Sequence, residues 1–169
     1  LIVGVLTGLR SVAAPDTLRL GQLTDKRPLR QVAQLITTWP TANWPAAWAA
    51  PAQPAPARTD GRFAYWWRLT VQNNASRPQT LYVFGGNNAT ITCYVLAPGP
   101  RLLHVLRTGS AVPADHWAYR HHDQYVPVPL AAGQTATLLV RVANRPGVLP
   151  FLTSAHLPRP SLNAWIETE

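Results

Sequence analysis

Acidic residues are scarce in this sequence, and their scarcity limits the chemistry that the chain can perform. The 169 residues contain seven aspartates and glutamates, two of which, Glu167 and Glu169, lie at the end of the chain. A glycosidase-type site needs two carboxylates that face each other. Nucleophile elbows, phosphate-binding glycine loops and zinc-finger spacings are also absent from the sequence. We therefore predict a non-catalytic chain with no cofactor and no metal site.

Lysine is almost absent, and the positive charge comes from scattered arginines. The formal net charge is +8, Lys26 is the only lysine, and the arginines extend from Arg10 to Arg159 without a basic run. Nucleic-acid-binding domains gather their basic residues on one face or one element. A high net charge alone indicates solubility and non-specific attraction. We therefore predict that nucleic acid is not a partner.

A single cysteine, Cys93, excludes an intrachain disulfide. Its apolar neighbours in the run ITCYVL predict a buried strand position, in which a free cysteine acts as a small hydrophobe.

Methionine is also absent, so we expect the sequence to lack its initiator. The chain opens on the apolar run LIVGVLTGL, and Val12 and Ala14 then occupy the small-residue positions of a cleavage site. We interpret residues 1–14 as the remnant of a signal peptide and expect the protein to lie outside the cytoplasm. An N-terminal core strand is the alternative interpretation of the same run. No run in the sequence reaches the length of a membrane helix.

Long helical patterns are rare, whereas short apolar runs separated by Gly, Pro and Asn dominate the sequence. Such runs predict strands of a β-sandwich. Before them, residues 17–23 alternate like a strand, and the next residues predict a short helix with Leu35 and Ile36 on its apolar side. We predict four parts. Residues 1–14 are the signal-peptide remnant, and residues 15–60 form an N-terminal strand, a short helix and a Pro/Ala-rich wrap. Residues 61–160 form an all-β sandwich, and residues 161–169 connect it to a further region.

The run FAYWWRLTVQN, residues 63–73, contains two adjacent tryptophans that cannot both face one core. Since side chains alternate along a strand, the odd-numbered residues face the core and Trp66 and Arg68 share the other face. The same alternation in QTATLLVRVAN exposes Arg141. A tryptophan with flanking arginine donors is suited to sugar rings and planar ligands, so we predict all three as ligand-binding residues. The alternative is that the Pro-rich wrap of residues 39–57 covers Trp66.

The segment ADHWAYRHHDQY, residues 114–125, concentrates histidines and aspartates. These side chains can bind metals, but their spacing matches no diagnostic metal site. We place His116 and His122 at the rim of the ligand site, and a solvated loop with ordinary histidines is the alternative.

The order of these motifs resembles a known family. The Tyr-Trp-x-Arg strand ends at Asn73 and is followed by TCYVL, by Thr108 and Gly109, and then by VPVPL, a glycine turn and TLLVRV. Over about residues 17–157 the sequence resembles the extracellular sensory domain of bacterial seven-transmembrane receptors with diverse intracellular signalling modules. The resemblance implies a jelly-roll-like β-sandwich akin to carbohydrate-binding modules. It also implies a periplasmic position and a membrane-embedded remainder of the same protein, with a histidine kinase or cyclase as output.

The leading hypothesis is a sensory domain that binds a saccharide or another small molecule and biases the membrane segment between two states. Two alternatives stay open at this point. One is a carbohydrate-binding accessory module of a secreted glycoside hydrolase, and the other is a structural interaction domain that transmits force or forms a homodimer.

Overall fold

The computed structural model describes residues 17–22, 33–37, 43–52, 64–84, 88–119, 124–144 and 154–156. The elements in these ranges are β1 (Leu18–Arg19), β2 (Gln34–Thr37), α1 (Trp44–Ala49), β3 (Tyr65–Gln72), β4 (Gln79–Phe84), β5 (Thr90–Leu96), β6 (Leu102–Thr108), β7 (Tyr125–Leu130), β8 (Thr135–Ala143) and β9 (Ser154–His156). The same ranges contain two 3-10 helices of one turn each, Leu20–Gln22 and Ala114–His116. Within the parts of the chain described, none of the helices has the length and hydrophobicity of a membrane span.

The strands form two sheets, which confirms the predicted all-β sandwich. The large sheet has the order β1-β3-β8-β5-β6, and β2 also pairs with β3. The small sheet has the order β7-β4-β9. The pairing of β1 with β3 is parallel, and the long central pairs β3–β8 and β5–β8 are antiparallel.

One hydrophobic core lies between the sheets, and strand alternation explains its composition. In β3 the predicted inward residues Leu69 and Val71 are buried in this core, and Trp67 packs at its margin. The predicted inward residues of β8 are also members, and so are the alternate apolar residues of β4 and β7. The main set is Leu69, Val71, Leu81, Val83, Ile91, Cys93, Val95, Val126, Val128, Leu130, Ala136, Leu138, Val140 and Val142.

Helix α1 lies inside the Pro/Ala-rich connection, and its two ends explain its short length. The Oδ1 atom of Asn43 accepts a hydrogen bond from the backbone N–H of Ala46 at 3.0 Å, which caps the first turn. Pro45 fits that first turn because its missing N–H has no helical partner there. Ala50 is extended, as the residue before Pro51 tends to be, and this ends the helix.

The expectation of one short helix is met, but the predicted position was wrong for the residues that the structure describes. Leu35 and Ile36 belong to strand β2, and both are buried. Residues 24–32, the rest of the predicted helix, lie outside the described residues. The first predicted strand is shortened to β1, because a 3-10 turn begins at Leu20.

Cys93 is fully buried in the core, as predicted, and we expect its thiol to be inert in the folded chain. Burial raises the pKa of Cys93 from 9.0 to about 12. Because the thiolate is the reactive species, such a shift makes it about a thousandfold rarer at pH 8. An aromatic disulfide reagent at pH 8 should therefore leave the folded chain unlabelled and label one thiol in denaturant.

The matched control is the double variant Cys93→Ala, Thr90→Cys, which places a single thiol on the opposite face of β5 and should react while folded. Rapid labelling of folded Cys93 would contradict its assignment to the core.

The raised pKa of Cys93 also makes the stability of the fold depend on pH. The buried neutral thiol favours folding below the unfolded pKa of 9.0, and this contribution falls as the pH rises toward about 12.

Candidate functional site

The face of the large sheet that points away from the small sheet carries the candidate site, and we call it the outer face. On β5 the residues Ile91, Cys93 and Val95 belong to the core, so the alternate residues point outward. The strand pairings then place the outward residues of four strands next to one another. The outer face contains Trp66, Arg68, Thr90, Thr92, Tyr94, Leu96, Arg107, Leu139 and Arg141.

Helix α1 covers one part of the outer face. Trp66 is fully buried there in a second hydrophobic cluster with Leu139 and Leu96, against which Trp44 and Trp48 of α1 pack. The arrangement keeps from water a large aromatic side chain that faces away from the core between the sheets.

Arg68 attaches α1 to the sheet through hydrogen bonds. Its Nη1 atom donates to the backbone oxygen of Trp48 at 3.1 Å, and its Nη2 atom donates to Oε1 of Gln34 at 3.4 Å. The guanidinium is part-buried, so these bonds replace some of the hydration that it loses. Arg68 therefore helps to hold α1 in place over Trp66.

A pocket of about 590 Å³ occupies the part of the outer face that α1 leaves uncovered. Its volume falls in the range of pockets that take small organic ligands. Three strands and the loop after β6 form its wall. The lining residues are Thr90, Thr92, Tyr94, Arg107, Ala111, Val112, Pro113, His116 and Arg141.

The loop after β6 is held in position at both of its ends. Gly109 has φ +134°, and a Cβ atom there would collide with the backbone oxygen of Ala89, so only glycine fits. The backbone N–H of Ala111 donates to that same oxygen at 2.8 Å. At the other end, Ala118 N–H donates to the backbone oxygen of Arg107 at 2.8 Å. The pocket wall is thus preformed.

A buried polar network supports the same wall from behind. The side chain of Asn144 accepts from the N–H of Ala89 at 2.7 Å and donates to Oδ1 of Asn88 at 2.7 Å. The N–H of Asn88 donates to Oε1 of Gln124 at 3.1 Å. Because Ala89 also bonds to the loop after β6, this network fixes the loop relative to β5 and β8.

Among the described residues that line the pocket, the charged side chains are arginines. Arg107 and Arg141 line it, together with His116. Asp115 is the only acidic residue among the described residues, and it lies outside the lining. Its Oδ2 atom is 3.8 Å from Nε2 of His116, and both side chains are largely exposed. The described part of the lining therefore carries basic side chains and no carboxylate.

The structure brings two of the five predicted site residues together. Arg141 and His116 line the pocket. Trp66 and Arg68 are on the same sheet face but under α1, which is the arrangement that the sequence analysis held open as the alternative. His122 lies outside the described residues. Contact of these residues with a ligand stays a prediction.

Seven of the nine lining residues were missed, although the sequence contained the signal for three of them. In TITCYVL the residues Thr90, Thr92 and Tyr94 alternate with apolar ones, just as Trp66 does in β3. Arg107 needs more information, because its place beside Thr92 depends on the pairing of β5 with β6.

Metal ligands do not converge in the parts of the chain that the structure describes. No group of three or more His, Cys, Asp or Glu side chains occurs there. His121 and Asp123, which belong to the histidine- and aspartate-rich segment of residues 114–125, lie outside the described residues.

Comparison with protein families gives one clear match. The sequence pattern of the family described as 7TMR-DISM extracellular 2 matches residues 19–153. The match covers both sheets as far as β8 and the whole of the pocket wall. No curated protein sequence matches the chain.

Proposed function

The chain belongs to the 7TMR-DISM extracellular 2 family, and from this premise we propose that it senses a small molecule in the pocket of the outer face. The family identifies the chain as an extracellular sensing domain of a transmembrane receptor, in agreement with the predicted location outside the cytoplasm. We further propose that the chain binds its ligand without catalysing a reaction. We also propose that a membrane-embedded remainder of the same protein carries a histidine kinase or a cyclase as its output. A receptor family also favours this function over the accessory module of a glycoside hydrolase.

The preformed pocket is the observation that carries the proposal. A sensor needs a concave site whose polar groups are already in place, since ordering a loose site would weaken binding. The loop that forms one side of the pocket is bonded at both ends, as described above. Arg107, Arg141 and His116 supply the polar groups.

Tyr94 supplies a route from the pocket to helix α1. It lines the pocket, and its ring stacks on Trp66 with a centroid distance of 5.6 Å and an interplanar angle of 25°. Trp66 in turn lies under Trp48 of α1. A ligand that contacts Tyr94 more favourably in one arrangement of this stack shifts the population toward that arrangement. We propose that this stack couples the pocket to helix α1.

A thermal-shift screen of the full 169-residue chain tests the proposal. The panel contains neutral saccharides, sugar acids, other organic acids and divalent metals, because a ligand that binds the folded state raises the melting temperature. We expect a saccharide or organic acid to raise it. Ala111→Trp should abolish this shift by filling the pocket, and Ala132→Trp on the exposed turn after β7 should preserve it.

Two outcomes would overturn the proposal. The absence of any shift would favour the structural or dimerising alternative. An unchanged shift in Ala111→Trp would place the ligand elsewhere on the domain.

A further inference from the structure

A β-bulge in β6 aims two apolar side chains at the outer face. Val105 is paired with Tyr94 of β5, and Leu102 is paired with Leu96, so Leu103 is one extra residue on β6. In a regular strand, two residues that are three positions apart point to opposite faces. Because of the extra residue, both side chains lie beside outward-facing partners, and directly paired residues point to the same side of a sheet. Leu102 and Val105 thus form what we call the apolar strip.

The apolar strip is open to solvent. Val105 is 41% exposed and Leu102 is 38% exposed, and they are the exposed large hydrophobic side chains among the described residues. A single exposed apolar residue is ordinary on a protein surface. Here two such residues lie side by side, and bulges often re-aim side chains next to binding sites. The strip therefore has the character of a contact surface.

The apolar strip continues the pocket. Tyr94 lines the pocket, and Val105 lies directly beside Tyr94 in the strand register. Leu96 is two residues further along β5, so its partner Leu102 extends the strip by roughly 7 Å. Leu96 itself belongs to the hydrophobic cluster under α1. A ligand that leaves the pocket over Tyr94 therefore meets apolar surface as far as Leu102.

The pocket and the apolar strip suit different chemical groups. In the pocket, Thr90 and Thr92 offer hydroxyl groups and Arg107 offers a guanidinium group, all of which form hydrogen bonds. The side chains of the strip offer no hydrogen bond. A polar group placed over them would lose water without gaining a partner. A ligand that uses both regions therefore has a polar head and an aliphatic part.

We propose that the ligand is an amphipathic small molecule, with its polar head in the pocket and an unbranched alkyl chain over Val105 and Leu102. A chain fits this surface better than a second ring does, because the strip is one strand wide, about 4.8 Å. This inference rests on the proposed sensing function, since it names the ligand class of the same pocket.

Isothermal titration of the full chain with two homologous series tests the ligand class. One series is methyl, hexyl and octyl β-glucoside, and the other is acetate, hexanoate and octanoate, all below their micelle-forming concentrations. Full burial of one CH₂ group tightens binding about fourfold. The strip covers one side of a chain, so in at least one series we expect the longest member to bind at least tenfold more tightly than the shortest.

The double variant Leu102→Thr, Val105→Thr tests the position of the alkyl chain. Threonine suits a strand but places a hydroxyl group on the strip. We expect this variant to lose most of the gain with chain length and to bind the shortest member as before. The matched control is His104→Thr, which should keep the full gain. His104 is exposed on the same strand, but it is paired with the core residue Val95 and so points to the other face.

Two other occupants of the apolar strip have their own readouts. Sedimentation of the chain alone as a dimer, which the double variant separates into monomers, would make the strip an interface between two copies. Cosedimentation with phosphatidylglycerol vesicles, without binding of the soluble series, would assign the strip to a membrane surface. Either result would overturn the proposal.

The titrations also separate this inference from the proposed function. Equal affinity along both series, with binding lost in Ala111→Trp, would overturn the alkyl chain and leave the sensing function standing. An undiminished gain in the double variant would also overturn it. If neither series binds, this inference fails, and the proposed function fails with it only when the thermal-shift panel gives no shift either.

Discussion

Replacement of Asn73 by alanine is expected to lower the free energy of unfolding by about 2 to 4 kcal/mol, because it removes the partner of several buried groups. Asn73 is fully buried directly after β3. The two hydrogens of its Nδ2 atom are shared among the backbone oxygens of Arg77, Leu130 and Ala131, which lie at 2.9, 3.1 and 3.0 Å. Its Oδ1 atom accepts from the N–H of Ala75 at 3.1 Å.

The effect should be large because these bonds join the two sheets. Asn73 follows a strand of the large sheet, whereas Leu130 ends β7 of the small sheet. The backbone N–H of Asn73 also donates to the oxygen of Gln134 at 2.8 Å, in the turn between β7 and β8. One side chain therefore fixes two turns against each other, and alanine would leave their carbonyl groups without this donor.

Urea unfolding followed by circular dichroism measures the change. Asn74→Ala is the matched control, because Asn74 is the exposed neighbour and its Oδ1 atom accepts from Gly21 N–H. We expect that variant to lose less than about 1 kcal/mol. Asn73→Asp should be destabilised almost as strongly as Asn73→Ala at neutral pH, since a carboxylate has no donor for the carbonyl groups. A tolerated aspartate would contradict the role of the donated bonds.

The strands from Tyr65 to Ala143 could be predicted from sequence because each depends on a local signal. Alternating apolar residues and flanking Gly, Pro and Asn residues fix a strand without reference to its partners. In β8, for example, the predicted inward residues Leu138 and Val140 are buried in the core. The same rule placed Cys93 in the core.

The N-terminal part was predicted less well because its structure depends on distant residues. The spacing of Leu35 and Ile36 satisfies a helix as well as a strand. Their strand is fixed by pairing with β3, in which Leu35 lies opposite Trp67 and Gln34 lies opposite Arg68. Pairings over such a separation cannot be deduced from the periodicity of one segment.

The candidate site was predicted in part for the same reason. Arg141 was placed on the outer face from the alternation of its own strand, and this is where it lies. Its position between Trp66 on one side and Thr92 on the other depends on three strands in register. The position of Trp66 under α1 depends on a helix inside a proline-rich segment, which local propensity disfavours.

Replacement of Trp66 by alanine is expected to lower the free energy of unfolding by about 3 to 5 kcal/mol, the range for large aromatic side chains removed from a core. Trp66 is the largest fully buried side chain among the described residues. Its removal would leave a cavity between Tyr94 and α1, and the stack with Tyr94 would be lost. Urea unfolding of the two proteins measures the difference.

Trp66→Phe is the informative control, because it retains a ring in the cluster. The Nε1 atom of Trp66 is buried and has no hydrogen-bond partner in the structure as described. Phenylalanine removes this unsatisfied donor, which offsets part of the smaller ring's lost packing. We therefore expect Trp66→Phe to lose less than half of what Trp66→Ala loses.

The pair of variants also decides between the two roles that the sequence left open for Trp66. A side chain that is buried under α1 is needed for stability, so Trp66→Ala should unfold far more easily. Ligand binding by Trp66→Phe should change little, because the phenyl ring still supports Tyr94. A side chain that contacts the ligand directly would show the opposite pattern, with stability changed by less than about 1 kcal/mol and the ligand-induced thermal shift lost. That pattern would require α1 to move away from the outer face when the ligand binds, and it would contradict the assignment of Trp66 to the hydrophobic cluster.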